Sequence, residues 1–349
     1  MSGELPKLAL PIERQSACSP SCHGLMETLT IAADTLQQLK RLAAEQHTTL
    51  YTLLLTVFKT LLYRYSGQHD IIVGSPTLGR PKREFADTVG YFVNPVALRS
   101  HPAAGQRFSD YLAEVNTTVL DALAHQHYPF SLLVERLQPE REQGASAFYR
   151  SWFVLQSGGA SDAAELALGM PGRALDWAGL SAESYALEEV AAQFDIALLM
   201  AETRLGLAAS FQYRSDLLSR ATVSRLIGHF QCLLHGLLAD PDSRLSELPL
   251  LTAPERKQLA TWNATGIDYP HSNTIHGVFE AVARQHPNAV ALVYREHRLS
   301  YGELNAQANR LAQWLRAQGA GPEKRVALCI PRCPELVVGI LAILKAGAV

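Results

Sequence analysis

The sequence predicts an α/β (α+β) protein built as two folded units. Three observations carry that reading. Short β-branched or alternating runs are interleaved with amphipathic helical stretches over roughly the first 240 residues. The stretch 239–265, ADPDSRLSELPLLTAPERKQLATWNAT, then brings three prolines and little periodicity at its start. After it, helical and strand-like segments alternate regularly to the last residue.

In order along the chain, 25–31 (LMETLTI) alternates apolar and polar residues, as a half-buried strand does. Asp34 is the expected N-cap of a helix to about Gln46, with Gln37 as capping-box partner. Thr48 and Thr49 precede LYTLLLTVFKTLLYRY, which is apolar around most of its circumference and therefore predicts a helix buried between layers, ending at Gly67. His69 to Gly74 reads as a buried strand and 91–99 as another, in which Asn94 shares a face with Val96 and Leu98 and needs a hydrogen-bond partner.

Ser109 is the expected cap of a helix of about fourteen residues, and Pro129 breaks the pattern before a short helix over SLLVERL. Ser151 to Gln156, Phe194 to Glu202 and Leu205 to Tyr213 read as strands, the last two as antiparallel neighbours turning near Thr203 and Arg204. Arg220 to Leu238 is a long amphipathic helix. Beyond the boundary come a helix at 274–285, strands at 289–294 and 297–299, a helix at 301–317, a strand at 325–330 and a helix at 334–345. The implied division is 1–240, a linker at 241–270, and 271–349.

Composition narrows the function. With 48% hydrophobic and 18% charged residues the chain is expected to fold. A net charge of -2 offers no clustered basic surface, so nucleic acid is not an expected partner. No apolar run reaches the roughly 20 residues needed to span a bilayer, and the first residues lack the apolar core of a secretion signal, which predicts no membrane association and a cytoplasmic location. The cysteines fall as Cys18-x3-Cys22, Cys232 and Cys329-x3-Cys333, an odd count whose spacing suits neither a disulfide framework nor a zinc site, so no metal is expected.

The sequence has no glycine-rich phosphate loop, nucleophile elbow or zinc-helix motif. The most suggestive cluster is His125 and His127 beside Tyr128-Pro129-Phe130, whose ordinary reading is a helix end packed around a proline.

Two sets of motifs carry a family resemblance. Val89-Gly90-Tyr91-Phe92-Val93-Asn94-Pro95-Val96-Ala97-Leu98-Arg99 and His125-Gln126-His127-Tyr128-Pro129-Phe130 resemble, in order and spacing, two signatures of the condensation domains of nonribosomal peptide synthetases. The stretches 67–74, 153–156, 194–196 and 213–217 are similar to others of that family. Trp262-Asn263-Ala264-Thr265 looks like the linker into an adenylation domain. Leu299-Ser300-Tyr301-Gly302-Glu303-Leu304-Asn305 resembles the first core motif of that domain, and Leu344-Lys345-Ala346-Gly347-Ala348 the opening of its second.

The resemblance implies the C-terminal lobe of a chloramphenicol-acetyltransferase-like condensation domain, followed by an incomplete N-terminal α/β part of an adenylate-forming domain. Gly90, Phe92, Asn94, Arg99, His125, Gln126, Pro129, Phe130 and Arg141 are its tunnel and motif residues. Leu299, Tyr301, Glu303, Leu304, Lys345 and Gly347 are structural residues of the adenylation motifs. Two departures are visible: His127 stands where the family has Asp, and 141–148 keeps only Arg141 and an acidic neighbour of the family's pattern.

The family's catalytic His-His-x-x-x-Asp-Gly is absent, so no catalytic residue is assigned. No cofactor is expected on this chain itself; the parent module would use 4'-phosphopantetheine on its carrier domains and ATP with Mg2+ in a complete adenylation domain. Peptidyl carrier domains and the rest of the module are the implied partners. Two alternatives are a non-catalytic lobe that pairs with carriers or a separate first lobe, and a stand-alone acetyltransferase, which would also need the absent histidines and would leave the adenylation-like tail without purpose. The chain alone is expected neither to condense carrier-bound substrates nor to exchange pyrophosphate with ATP, and amino-acid-dependent exchange by the purified chain would refute that.

Overall fold

The computed structural model describes residues 5–11, 23–80, 83–85, 87–137, 148–156, 168, 170, 174–177, 179–183, 190–268 and 274–349. It divides into two compact units, Met1–Trp262 and Asn263–Val349.

The first unit is a mixed sheet of seven strands covered by helices. Its elements are β1 (His23–Ala32), α1 (Ala33–Glu45), α2 (Leu50–Ser66), β2 (Ile71–Thr77), β3 (Asn94–Ser100), α3 (Phe108–Ala124), α4 (Phe130–Leu137), β4 (Ser151–Gln156), β5 (Ala174–Trp177), β6 (Leu180–Glu183), β7 (Val190–Ala191), β8 (Ile196–Thr203), β9 (Gly206–Arg214), α5 (Arg220–Ala239) and α6 (Ala253–Asn263). The sheet runs β3-β2-β4-β8-β9-β1-β7. The pairs β2–β4 and β4–β8 are parallel and the others antiparallel. The small β5–β6 hairpin forms its own sheet.

The all-round apolar pattern of α2 is explained by its position, since Thr52 to Tyr63 are buried without interruption. Thr49 caps its start by accepting from the Thr52 amide, and Gly67 ends it in the left-handed region at φ 67°. Burying threonines requires partners for their hydroxyls. Thr56 and Thr60 donate to the carbonyls one turn back, Thr52 and Thr56, at 2.7 and 2.8 Å. Around α2 the core gathers Phe58, Phe153, Phe211, Phe230 and Tyr213.

On the opposite face of β2, β3 and β4 a second cluster of Phe148, Tyr149, Phe130, Trp152 and Phe194 packs over Ile72. Trp152 and Phe194 stack in parallel at 4.8 Å. Gly74 lies directly beneath: a Cβ there would meet the Tyr149 ring at 2.5 Å and Trp152 at 2.6 Å. The glycine admits the aromatic layer onto the strand.

Three strand ends meet at a buried ionic junction. Asp195, just before β8, faces Arg150 at 3.5 Å, before β4, and Arg214 at 3.6 Å, at the end of β9; Arg214 also holds Asp216 through two hydrogen bonds. Burial raises the Asp195 pKa, and the two arginines do not fully offset it.

Two caps differ from the sequence expectation. Strand β1 stays paired as far as Ala32 with Gly206, so α1 begins at Ala33 and Asp34 falls in its first turn, where it complements the helix dipole instead of capping. Likewise α3 begins at Phe108, and Ser109 donates to Asp242.

The linker helix α6 buries none of its residues. It is attached through Glu255, which accepts from His229 Nε2 at 2.9 Å and from the Thr252 amide and hydroxyl, while His229 Nδ1 meets the Tyr65 hydroxyl at 2.6 Å. Burial opposes the Glu255 charge, but the Thr252 hydroxyl and amide and His229 outweigh it and bring its pKa down to about 2.

The second unit contains α7 (Ile275–Gln285), the hairpin β10 (Val290–Tyr294) and β11 (His297–Ser300), α8 (Tyr301–Ala317) and α9 (Pro334–Ala346). The strand expected at 325–330 does not form. Its backbone pairs only through Val326 to Val349 (2.8 Å) and Val349 to Lys324 (2.9 Å), too few bonds for a ladder among the described residues.

Two outcomes follow. Gly74→Ala is expected to lower stability by about 1–3 kcal/mol through overpacking, read as a reduced denaturation midpoint. Because the folded pKa of Glu255 lies below its ordinary 4.5, its contribution is complete above pH 4.5 and fades as pH falls toward 2. Glu255→Gln is therefore expected to be less stable than wild type at neutral pH, the gap closing between pH 4.5 and 2 in acid-unfolding curves.

Candidate functional site

The two condensation-type motifs meet at one side chain. Asn94 opens β3 opposite Thr77 of β2, whose hydroxyl donates to the Asn94 carbonyl at 2.8 Å. So anchored, its amide reaches the turn between α3 and α4. Nδ2 donates to the carbonyls of Gln126 (2.9 Å) and Tyr128 (3.0 Å), and Oδ1 accepts from the Phe130 amide (3.1 Å). Both amide protons and the carbonyl of Asn94 are thus used on backbone that helix and sheet ladders leave unpaired.

The turn is also held from within. Tyr128 N donates to His125 O at 3.0 Å, and Pro129 O accepts from Leu132 and Leu133 as α4 begins. The Phe130 ring anchors it to the aromatic layer, 5.5 Å from both Phe148 and Tyr149. His125 is turned back on its own helix, its Nδ1 donating to Asp121 O at 2.8 Å, while His127 is exposed. The histidines do not converge.

The loop before β3 is organised by Arg80, which the sequence pattern did not mark. Its guanidinium donates to the carbonyls of Phe85, Thr88 (2.8 Å) and Gly90 (3.3 Å) and lies 4.3 Å from the centre of the Phe92 ring. Gly90 and Phe92 are thereby held in place, and Val89 and Tyr91 are left 100% and 88% exposed. One arginine in a loop rich in glycine, proline and charge stands out by nothing but the preceding Gly79.

Arg99 lies elsewhere. At the far end of β3 it grips Asp70 through two bonds, Nε at 2.9 Å and Nη2 at 2.6 Å, which keep the Asp70 carboxyl below its ordinary pKa. Arg141 lies outside the described residues, as do Cys18 and Cys22.

The adenylation-type motif is a folding motif here. Ser300 and Glu303 form a capping box for α8: Ser300 Oγ accepts from the Glu303 amide, and Glu303 Oε2 accepts from the Ser300 amide at 2.8 Å. Those bonds lower the Glu303 pKa. The Ser-x-x-Glu spacing is the signal from which this cap could have been found. Leu299 pairs with Leu292 in the hairpin, Tyr301 packs on Phe279 at 5.9 Å, Leu304 is buried against Val338 and Leu341, and Gly347 closes α9 at φ 80°.

Lys345 departs from a simple cation at a helix end: it is buried, bonded to Glu280 and to Asn305 Oδ1 (2.8 Å). Among the described residues no group of three or more His, Cys, Asp or Glu is placed to hold a metal ion, and no helix is long and apolar enough to cross a membrane.

The chain is similar to known proteins in sequence and in fold. The chain belongs to the condensation-domain family, which it matches over residues 1–260, and residues 279–349 match the AMP-binding enzyme family. A linear gramicidin synthase of Brevibacillus parabrevis is 39% identical over 98% of this chain, and bacitracin synthase 3 of Bacillus licheniformis 36% identical over 99%. The chain spans 4% and 5% of those relatives' lengths. A four-domain nonribosomal peptide synthetase, solved with AMP and glycine, shares the fold with a TM-score of 0.81 at 24% identity, covering 99% of this chain and 26% of that one. The X-domain of teicoplanin biosynthesis in complex with OxyB gives 0.59 at 20% identity, over 72% of this chain and 53% of that one.

Asn94→Ala is expected to strip three backbone groups of their partner, at about 1–3 kcal/mol for each that stays buried. Faster amide hydrogen exchange confined to residues 125–130 is the expected signature. Asn94→Asp, which turns oxygen toward the Gln126 and Tyr128 carbonyls, is expected to open the same turn at least as far.

Proposed function

We propose that this chain works as part of a nonribosomal peptide synthetase module in the cytoplasm. In that module the condensation domain joins a carrier-bound acyl or peptidyl donor to a carrier-bound amino acid through an amide bond. The adenylation domain that follows activates the amino acid as an aminoacyl adenylate. The observation that carries the reading is the three-way hydrogen bonding of Asn94, which joins the two condensation motifs into one constructed corner, together with the family match over 1–260.

The division proposed is a condensation part at 1–240, a linker at 241–270 and an adenylation part at 271–349. Within the first, Gly90, Phe92, Asn94, Gln126, Pro129 and Phe130 shape the wall along which the carriers' substrates lie. Arg99 supports the wall by pinning the start of β2 to the end of β3. His125 has no assigned role as a base. The carriers bring their substrates on 4'-phosphopantetheine arms, and ATP with Mg2+ serves the complete adenylation domain. Lys345 is not the residue that meets the nucleotide, because its charge is committed to Glu280 and Asn305.

The test is made in the complete synthetase. Asn94→Ala there is expected to slow amide formation by about tenfold or more, a loss of at least about 1.4 kcal/mol of transition-state stabilisation, while amino-acid-dependent pyrophosphate exchange stays within about twofold. Equal loss of both activities, or undiminished condensation, would count against the reading.

A further inference from the structure

Lys59 lies at the centre of the first unit with no exposed surface, on the helix α2 that the core surrounds. Its Nζ donates to the carbonyl of Leu98 and to the hydroxyl of Ser100, each at 2.8 Å, and both acceptors belong to β3. Ser100 Oγ is in turn 2.8 Å from the Tyr111 hydroxyl of α3, and Ser100 and Tyr111 are themselves fully buried.

The donor count distinguishes the two charge states. An uncharged amine carries two N–H bonds, and two acceptors are within reach; an ammonium carries three and would leave one without a partner in the core. We propose that Lys59 is held as an uncharged amine on the alkaline side of neutrality and is a positioning residue for β3, the strand that carries Asn94 at its other end.

The surroundings agree. Among the described residues no carboxylate touches Nζ. Asp70, before β2, is taken by Arg99, and Glu114 of α3 accepts from the His101 amide at 2.9 Å, so both act on Lys59 only across a distance. Tyr111 is burial-shifted upward and stays neutral. Burial draws the Lys59 pKa down to about 7, against the pull of Glu114 and Asp70. Below that value protonation adds the third, unmatched N–H and loosens the hold on Leu98 and Ser100. The lock on β3 operates whatever the turn at 125–130 touches.

The experiment uses the full chain, labelled with 13C at the ε-carbon of its seven lysines, titrated by NMR from pH 5.5 to 10.5. One signal titrating near pH 7 is expected, and it should vanish in Lys59→Met. A spectrum in which every signal titrates near the ordinary 10.5 overturns the proposal and needs no folded variant. Where Lys59→Met folds, the wild-type folding constant is expected to gain on it by roughly tenfold per pH unit between pH 7 and 10.5, since the unfolded chain there binds one more proton. Parallel pH profiles for the two proteins would equally overturn it.

Discussion

The burial of α2 on all sides is the constraint on which the first unit depends. A helix with no solvent face needs partners for its polar side chains: Thr56 and Thr60 find theirs on the helix itself, and four longer side chains reach other elements. Tyr51 donates to Ser75 of β2, Lys59 to β3, Arg64 to the carbonyls of Leu245 and Leu248 beyond α5, and Tyr65 meets His229 of α5. The hydrophobic effect puts the helix in the core and its polar groups then specify one arrangement of what surrounds it. The linker helix α6 shows the contrast: with nothing buried, it is fixed by one carboxylate.

That framework explains how two motifs some thirty residues apart come to form one corner. Strand β3 is fixed at one end by Arg99 and Lys59 and at the other by pairing with Thr77, which leaves Asn94 facing a turn without secondary structure. Such a turn must find its hydrogen bonds outside itself. An asparagine offers two donors and an acceptor in one plane, which a serine or aspartate does not.

Much of this was legible in the sequence. Most strands and helices of both units follow from periodicity, but the short strands β5, β6 and β7 and the linker helix α6 did not; the need of Asn94 for a partner followed from a polar residue on an apolar face, and the partner itself, a turn beyond α3, did not. Where the reading failed, tertiary contact had overruled a local signal. Asp34 looks like a cap, yet pairing of Ala32 with a strand far along the chain moves the helix start. The β-branched character of 325–330 suggests a strand, but a strand is a property of its neighbours. Arg80 and the buried role of Lys345 were invisible because an isolated basic residue reads as solvated until its surroundings are known.

The place of β1 in the sheet has a consequence for synthesis. Among the described residues it is the first strand, yet it pairs with β9, from Ala32↔Gly206 to Gly24↔Arg214, and with β7. Its main partner is therefore translated roughly 180 residues later, about 10–40 seconds at ordinary elongation rates. Until then β1 lacks the partner it has in the folded sheet, and the charged Glu27 among its central residues disfavours pairing of that edge with a neighbouring chain.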